Sequence, residues 1–246
     1  MTDPHRRERA ASFERGAAVY AATRPGYPDD AVRWCVPDRA HDALDLAAGT
    51  GKLTESLVAL GLDVVAVEPS DAMRGSLTAT LPGVDARGGT AEATGLATGS
   101  VDVVTVGQAW HWFDEPAASA ECARVLRAGG ALAVLWNLRD DSVDWVAQLG
   151  ELLHRGDALD TARPAPVLGE AFGPVEGALF RWTQAMRPAD LRGLAASRSH
   201  LLTLPVPERD AILDEVDALV ATHPALRGRE VVELPYVTHC WRATRR

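Results

Sequence analysis

Cysteine is scarce in this chain of 246 residues, and the three present (Cys35, Cys122, Cys240) form no C-x-x-C pair. An odd, scattered set supports neither a disulfide framework nor a cysteine zinc site, and each thiol reads as a small buried hydrophobe. Long apolar runs are also missing: nothing approaches the roughly 18–20 residues that a membrane helix needs. The stretch Met1–Ala11 is polar and arginine-rich, without the apolar centre of a secretory signal, which makes the cytoplasm the expected compartment. No basic stripe offsets the net charge of −9. Arg6-Arg7-Glu8-Arg9 and the terminal Arg242–Arg246 are short and read as solvated ends, so nucleic acid is not an expected partner. No His/Cys/Asp/Glu spacing matches a metal site, and no internal repeat or low-complexity tract appears.

What is present is alternation. From about Asp42 to Asn137, β-branched runs and helical spacings follow each other. Ala43–Leu46 reads as a strand and Leu53–Leu60 as a helix. Val64–Val67 is a second strand. Ser70 is an N-cap for a helix over Asp71–Thr80. Val84–Arg87 and the valine-rich Val101–Val106 are further strands, the latter suited to a sheet covered on both faces. Ala117–Leu126 is helical, with Gly129-Gly130 as its stop, and Ala131–Trp136 is a fifth strand. Such alternation implies a parallel sheet with right-handed crossovers. Beyond Asn137 the pattern loosens. Helices are expected over Ser142–Leu153, Ala189–His200 and Glu208–Ala221, and strands over Leu179–Gln184 and Val231–Ala243, the last interrupted by Pro235. Phe13–Tyr20 reads as a helix and Arg24-Pro25-Gly26-Tyr27-Pro28 as a rigid turn. One domain is expected: an N-terminal cap (1–41), a cofactor-binding core (42–137), a lid and substrate-facing region (138–222) and a final strand (223–246).

The chemistry begins at Asp45-Leu46-Ala47-Ala48-Gly49-Thr50-Gly51, between the first strand and the first helix. Ligands of open α/β sheets bind at this end of the strands. Gly49 and Gly51 admit a ligand close to the backbone. A P-loop needs GxxxxGK[ST], but Leu53 follows Lys52 and Leu46 occupies the earlier glycine position. A dinucleotide loop needs a third glycine where Thr54 stands. An acid about twenty residues later, here Glu68, suits either a dinucleotide or a sulfonium cofactor. Asp45 separates them: a carboxylate there repels a pyrophosphate and suits a sulfonium carrying an α-ammonium group. Glu68 ends the second strand, where a carboxylate can accept both ribose hydroxyls. Met73 is placed to pack on adenine or to fill the core.

Asp45–Gly51, Glu68-Pro69, Gly89-Thr90-Ala91-Glu92 and Arg124–Gly130 together resemble the class I S-adenosylmethionine-dependent methyltransferases. Tyr20–Pro28, Gly107-Gln108-Ala109-Trp110-His111-Trp112-Phe113-Asp114 and Leu234–Thr238 resemble the type-11 branch that includes trans-aconitate methyltransferase-like proteins. The resemblance spans nearly the whole chain. It implies a Rossmann-like, doubly wound, seven-stranded, mostly parallel sheet with an antiparallel last strand and a small helical lid. It also implies S-adenosylmethionine as cofactor and S-adenosylhomocysteine as product. By position, Ala47, Gly49, Thr50 and Gly51 line the amino-acid and ribose part, and Glu68 and Pro69 the ribose. Ala91 meets the adenine edge. Thr90 stands where many relatives carry an acid, so Thr90 and Glu92 are both candidates for the exocyclic amine. Gln108 faces the methionine portion, and Tyr20 and Arg24 its carboxylate.

Methyl transfer is a displacement at an activated carbon, so the protein mainly supplies position and charge field. A hydroxyl or amine acceptor needs a proton removed, and a carboxylate acceptor does not. His111 is the candidate base. Trp110 and Trp136 are candidate walls of the acceptor pocket, with Arg198 and His200 reaching it from the lid. A structural role for the Trp-His-Trp segment is the competing reading. The expected activity is methyl transfer to a small molecule, with oxygen favoured on the branch resemblance alone. N- or C-methylation and a non-methylating protein on the same fold are the alternatives.

Overall fold

The computed structural model describes residues 24–155 and 165–246. Tyr20 and the helix expected over 13–20 lie outside them. The described chain divides into two compact units. One comprises 26–137, 165–180 and 238–246, the other 24–25, 138–155 and 181–237.

In chain order the elements are α1 (Asp29–Cys35), β1 (Asp42–Leu46), α2 (Lys52–Ala59), β2 (Asp63–Val67), α3 (Asp71–Thr80), β3 (Asp85–Arg87) and β4 (Val101–Gly107). A single 3₁₀ turn follows at Trp110–Trp112. Then come α4 (Glu115–Val125), β5 (Leu126–Arg139), α5 (Asp144–His154), β6 (Glu176–Met186), α6 (Asp190–Ala196), α7 (Ser199–Thr203), α8 (Val206–Thr222) and β7 (Val232–Thr244). The seven strands lie in the order β3-β2-β1-β4-β5-β7-β6, with the last strands antiparallel. From β1 the chain winds outward through β2 and β3, then returns to β4 on the other side of β1. That reversal between β1 and β4 is where ligands of such sheets bind. No helix among the described residues is long and apolar enough to cross a membrane.

Side-chain alternation along the strands separates two cores in the first unit. Leu44, Leu46, Val104, Val106, Leu132, Val134 and Trp136 share one face with Ala118, Cys122 and Val125 of α4. Ala43, Val103, Ala133 and Leu135 share the other with Ala31, Val32 and Cys35 of α1 and Leu53 and Leu57 of α2. Both faces are thus buried, as parallel strands require. All three cysteines are buried. The second unit has its own core, in which Leu149, Leu153, Leu191, Leu194, Leu201 and Val216 are fully buried beside Leu234 and Tyr236.

The structure departs from the sequence reading in four places. α1 had no strong sequence signal. α4 stops at Val125 rather than at Gly129-Gly130; the glycines lie inside β5, beside a register shift against β4 between Val101 and Val103. Gly129 there takes φ +80°, which only glycine adopts without strain. The helix expected over 189–200 is two helices, because Arg198 is extended (φ −75°, ψ 135°). β7 runs unbroken through Pro235, whose carbonyl accepts the Asp140 N–H at 3.0 Å.

A buried acid ties α4 to the loop after β3. Glu121 accepts the Thr94 N–H at 2.9 Å, the Thr94 hydroxyl at 2.6 Å and the Arg124 guanidinium at 2.7 and 2.8 Å. The bonds from Arg124, then those from Thr94, outweigh burial and hold its carboxyl down at about 2. An unfolded-state value near 4.5 means that the ionised form stabilises the fold above pH 4.5 and that this contribution fades as pH falls toward 2. The full effect is roughly 2–3 kcal/mol, reduced by the partial exposure of Arg124. Glu121→Gln is therefore expected to be less stable than the wild type at neutral pH. In urea titrations that gap should shrink by more than half between pH 5 and pH 3; a gap independent of pH would refute the assignment.

Candidate active site

The register of the parallel strands builds the site. Leu46 pairs with Val67, so the segments that follow, Ala47–Gly51 and Glu68–Ser70, leave the sheet side by side. The Ala48 N–H donates to the Val67 carbonyl at 3.1 Å and the Gly51 N–H to the Ala48 carbonyl at 3.0 Å, which closes a tight turn. Three residues of that turn have positive φ: Ala47 (56°), Gly49 (59°) and Gly51 (88°). Gly51 is the N-cap of α2, and a Cβ there would press on Leu77 and Leu81. Gly49 lies over Met73, whose sulfur is 3.8 Å from where a Cβ would stand. Ala47 is not glycine, so its backbone stores strain of order 1–3 kcal/mol at the loop's first residue.

Glu68 pins this turn. One carboxylate oxygen accepts the Gly49 N–H and the other the Ser70 N–H, both at 2.9 Å. Arg74 donates to the Glu68 carbonyl at 2.7 Å, and the Ser70 hydroxyl caps α3 by accepting the Met73 N–H at 3.2 Å.

Asp45 sits beneath the loop, 1% exposed. It is the cross-strand partner of Thr105 on β4. The Thr54 hydroxyl on α2 donates to it at 2.6 Å, and the Thr105 hydroxyl lies at 3.4 Å. Burial pushes its carboxyl up to about 7, aided by the charge of Glu68 and opposed by the two threonine hydroxyls. Near neutrality Asp45 is thus shared between its neutral and charged forms. The Thr50 hydroxyl is sealed from solvent and has no hydrogen-bond partner among the described residues.

At the end of β4 a second strained residue appears. Gln108 has φ +60°. Its backbone N–H donates to the Leu135 carbonyl at 2.9 Å, and its side-chain amide to the Asn137 carbonyl at 3.1 Å. Asn137 in turn donates to the Gly26 carbonyl at 2.8 Å and accepts the Thr238 hydroxyl at 2.6 Å. Tyr27 covers Gly107, where any Cβ would collide with the tyrosine hydroxyl. Tyr27, Thr54, Thr105 and Thr238 contribute here in roles that the sequence reading did not assign to them. The strand pairing Asp45–Thr105 is the only route to one of them, and it required the β1–β4 register.

The aromatic segment divides its labour. Trp110 is 3% exposed and packs edge-on to Phe113 at 5.6 Å. Trp136 is buried on the same core face. His111 stands between Trp112, at 4.4 Å between ring centres, and Trp136, at 5.1 Å. Ala91 is buried, Thr90 bridges to Ala93, and the Glu92 carboxylate accepts the Asp114 N–H at 3.0 Å. Pro69 follows Glu68 at the exit of β2.

Arg24, Arg198 and His200 belong to the second unit. Arg24 donates to the Ser197 carbonyl at 3.2 Å. His200 is 5% exposed and donates through Nε2 to the Arg155 carbonyl at 3.0 Å. Away from both sets, His41, Asp42 and Asp63 meet at the amino ends of β1 and β2. Arg127 already pairs with Asp42 at 2.7 Å and with Asp102 at 2.6 Å, which offsets part of the negative charge there.

The model of a methyltransferase domain matches residues 44–134. An uncharacterized methyltransferase of Mycobacterium tuberculosis is 47% identical over 239 residues, covering 97% of this chain and 98% of that protein. An uncharacterized methyltransferase of Schizosaccharomyces pombe is 34% identical over 236 residues, covering 92% and 94%. A solved structure from Anaeromyxobacter dehalogenans, named as a candidate type II methyltransferase, superposes with a TM-score of 0.61 at 28% identity, covering 90% of this chain and 97% of that one.

Because the Asp45 carboxyl is raised on folding, its ionisation costs stability. The cost is absent below about pH 3.8 and complete above pH 7, roughly 4 kcal/mol in full. In the ligand-free protein, Asp45→Asn is expected to gain about 2 kcal/mol on the wild type between pH 5 and pH 8. Denaturant titrations across that range read it directly, and parallel pH profiles for the two proteins would refute it.

Proposed function

Because the chain belongs to the S-adenosylmethionine-dependent methyltransferases, we propose that it transfers a methyl group to an oxygen of a small-molecule acceptor, a carboxylate or a hydroxyl, as its resemblance to the trans-aconitate methyltransferase-like proteins suggests. The observation that carries the cofactor assignment is the strained, glycine-bearing turn held by Glu68 over buried Asp45. The residues present fit the cofactor. Thr50 offers a hydroxyl with no partner among the described residues, Glu68 offers carboxylate oxygens to ribose hydroxyls, and Asp45 offers negative charge to a cationic ligand. When bound, S-adenosylmethionine supplies a methyl on a sulfonium sulfur and leaves as the neutral thioether S-adenosylhomocysteine.

This chain's own residues then have separate tasks. Glu68 and Pro69 hold the ribose. Ala91, with Thr90 or Glu92, holds the adenine. Met73 packs against its face. Gln108, fixed by the hydrogen bond its side-chain amide donates to the Asn137 carbonyl, orients the methionine portion, and Tyr20 and Arg24 take its carboxylate. His111 is the group assigned to receive the proton of a hydroxyl acceptor. Its ring, flanked by Trp112 and Trp136, has the apolar walls that exclude water from a displacement. Arg198 and His200 are assigned to acceptor selection, together with the segment 138–222 around them.

Titration of the wild type with S-adenosylhomocysteine tests the cofactor assignment. Glu68→Ala should weaken binding at least tenfold, about 1.4 kcal/mol. Since Glu68 also pins two backbone N–H groups, Glu68→Gln serves as the companion. It keeps an acceptor for one of them and should retain the fold while still losing affinity. Binding of NADH in place of S-adenosylhomocysteine would overturn the proposal.

A further inference from the structure

The second unit contains a concentration of positive charge that the cofactor loop does not use. The phenol of Tyr236 on β7, 4% exposed, lies in the field of three guanidinium groups: Arg139, Arg24 and Arg198. Three contacts and one change of backbone direction bring them together. Arg139 is the last residue of β5, and the next residue, Asp140, donates its N–H to the Pro235 carbonyl, one position before Tyr236. Arg24 is tied to the Ser197 carbonyl, next in the chain to Arg198. The break between α6 and α7 turns the backbone extended at Arg198 itself. Trp182 of β6 stacks on Tyr236 at 5.1 Å and 21°, which holds the phenol ring in place.

Arg139 is the telling member. Its Nε is shut off from solvent and has no hydrogen-bond partner among the described residues. The charged or titratable groups that act on it are Tyr236 and a second cation, Arg24. Burial and that like charge both disfavour its charged form. A guanidinium carries five donors and stays ionised, so a shielded one facing another cation is costly unless an anion joins it. Its planar fork matches the two oxygens of a carboxylate or a phosphate.

We propose that Arg139 and Arg198, with the Tyr236 hydroxyl, form an anion-binding site for a small molecule bearing a carboxylate or a phosphate. Naming that molecule the methyl acceptor rests on the function proposed above; the anion site itself does not. Arg139 anchors the anion by a two-pronged bond, Arg198 adds field and donors, and Tyr236 supplies a neutral donor, while Arg24, assigned above to the cofactor carboxylate, adds field alone. An acceptor of this kind binds more weakly as salt rises.

The test is titration calorimetry of the full chain with citrate and, separately, inorganic phosphate, each with and without saturating S-adenosylhomocysteine. At low salt the wild type should bind one of the two, the tighter probe identifying carboxylate or phosphate chemistry. Arg139→Gln should weaken that probe at least tenfold. Arg139→Lys, which keeps the charge but loses the fork, should fall between. Both variants should bind S-adenosylhomocysteine as the wild type does, which also reports that they are folded; if the glutamine variant does not fold, the lysine variant carries the comparison. Failure of both probes to bind wild type under either condition would overturn the site, as would undiminished binding by Arg139→Gln. Competition between probe and S-adenosylhomocysteine would overturn it in favour of the cofactor's own carboxylate. Probe binding without any S-adenosylhomocysteine binding would keep the anion site and remove the methyltransferase reading on which the acceptor assignment rests.

Discussion

The bond from the Gly49 N–H to the Glu68 carboxylate joins the ends of two neighbouring strands, and the geometry of the cofactor loop depends on it. The parallel register of β1 and β2 brings the two segments out of the sheet together. The carboxylate then fixes the separation of the turn from the start of α3, because its second oxygen holds the Ser70 N–H. With the turn held, Ala47 can be kept in a left-handed conformation that an isolated loop would relax. Strain of this sort persists only where the surroundings over-determine it, and here they are two strand ends, a helix start and a buried acid.

Charge is distributed unevenly around that loop. Burial is what chiefly raises the Asp45 carboxyl, and the nearby charge of Glu68 adds to it. Such a pair is poorly matched to an anion and well matched to a cation, whose arrival would favour the ionised form of Asp45. The second unit shows the reverse, three guanidinium groups around a buried phenol. One chain therefore carries a carboxylate pair in one unit and a guanidinium cluster in the other, and each favours a ligand of opposite charge.

The same economy marks the aromatic residues. Trp110 and Trp136 are part of the core that α4 covers, and His111 reaches the edge of that core by way of the 3₁₀ turn that follows β4. Catalytic and structural roles for the Trp-His-Trp segment are therefore compatible: the tryptophans pack the sheet and in doing so fix the imidazole between two rings.

Much of the first unit was legible in the sequence. Ser70 as a cap, the helix over 71–80 and the strands around Val64 and Val101 follow from local spacing and hydrogen-bonding chemistry that nearby residues decide among themselves. The glycine turn and the acid after β2 were legible for the same reason. What local pattern could not decide was anything set by neighbours distant in the chain. Pro235 looks like a strand breaker, yet the surrounding sheet carries β7 through it. The glycines at 129–130 look like a helix stop, yet they lie where β5 shifts register against β4. The Thr105 hydroxyl meets Asp45 only because β4 lies beside β1, and Arg139 meets Arg24 and Tyr236 across more than ninety residues of sequence in each direction. Periodicity reports which face of an element is buried; it carries no information on which charges the folded chain brings together, and that was decided by tertiary structure alone.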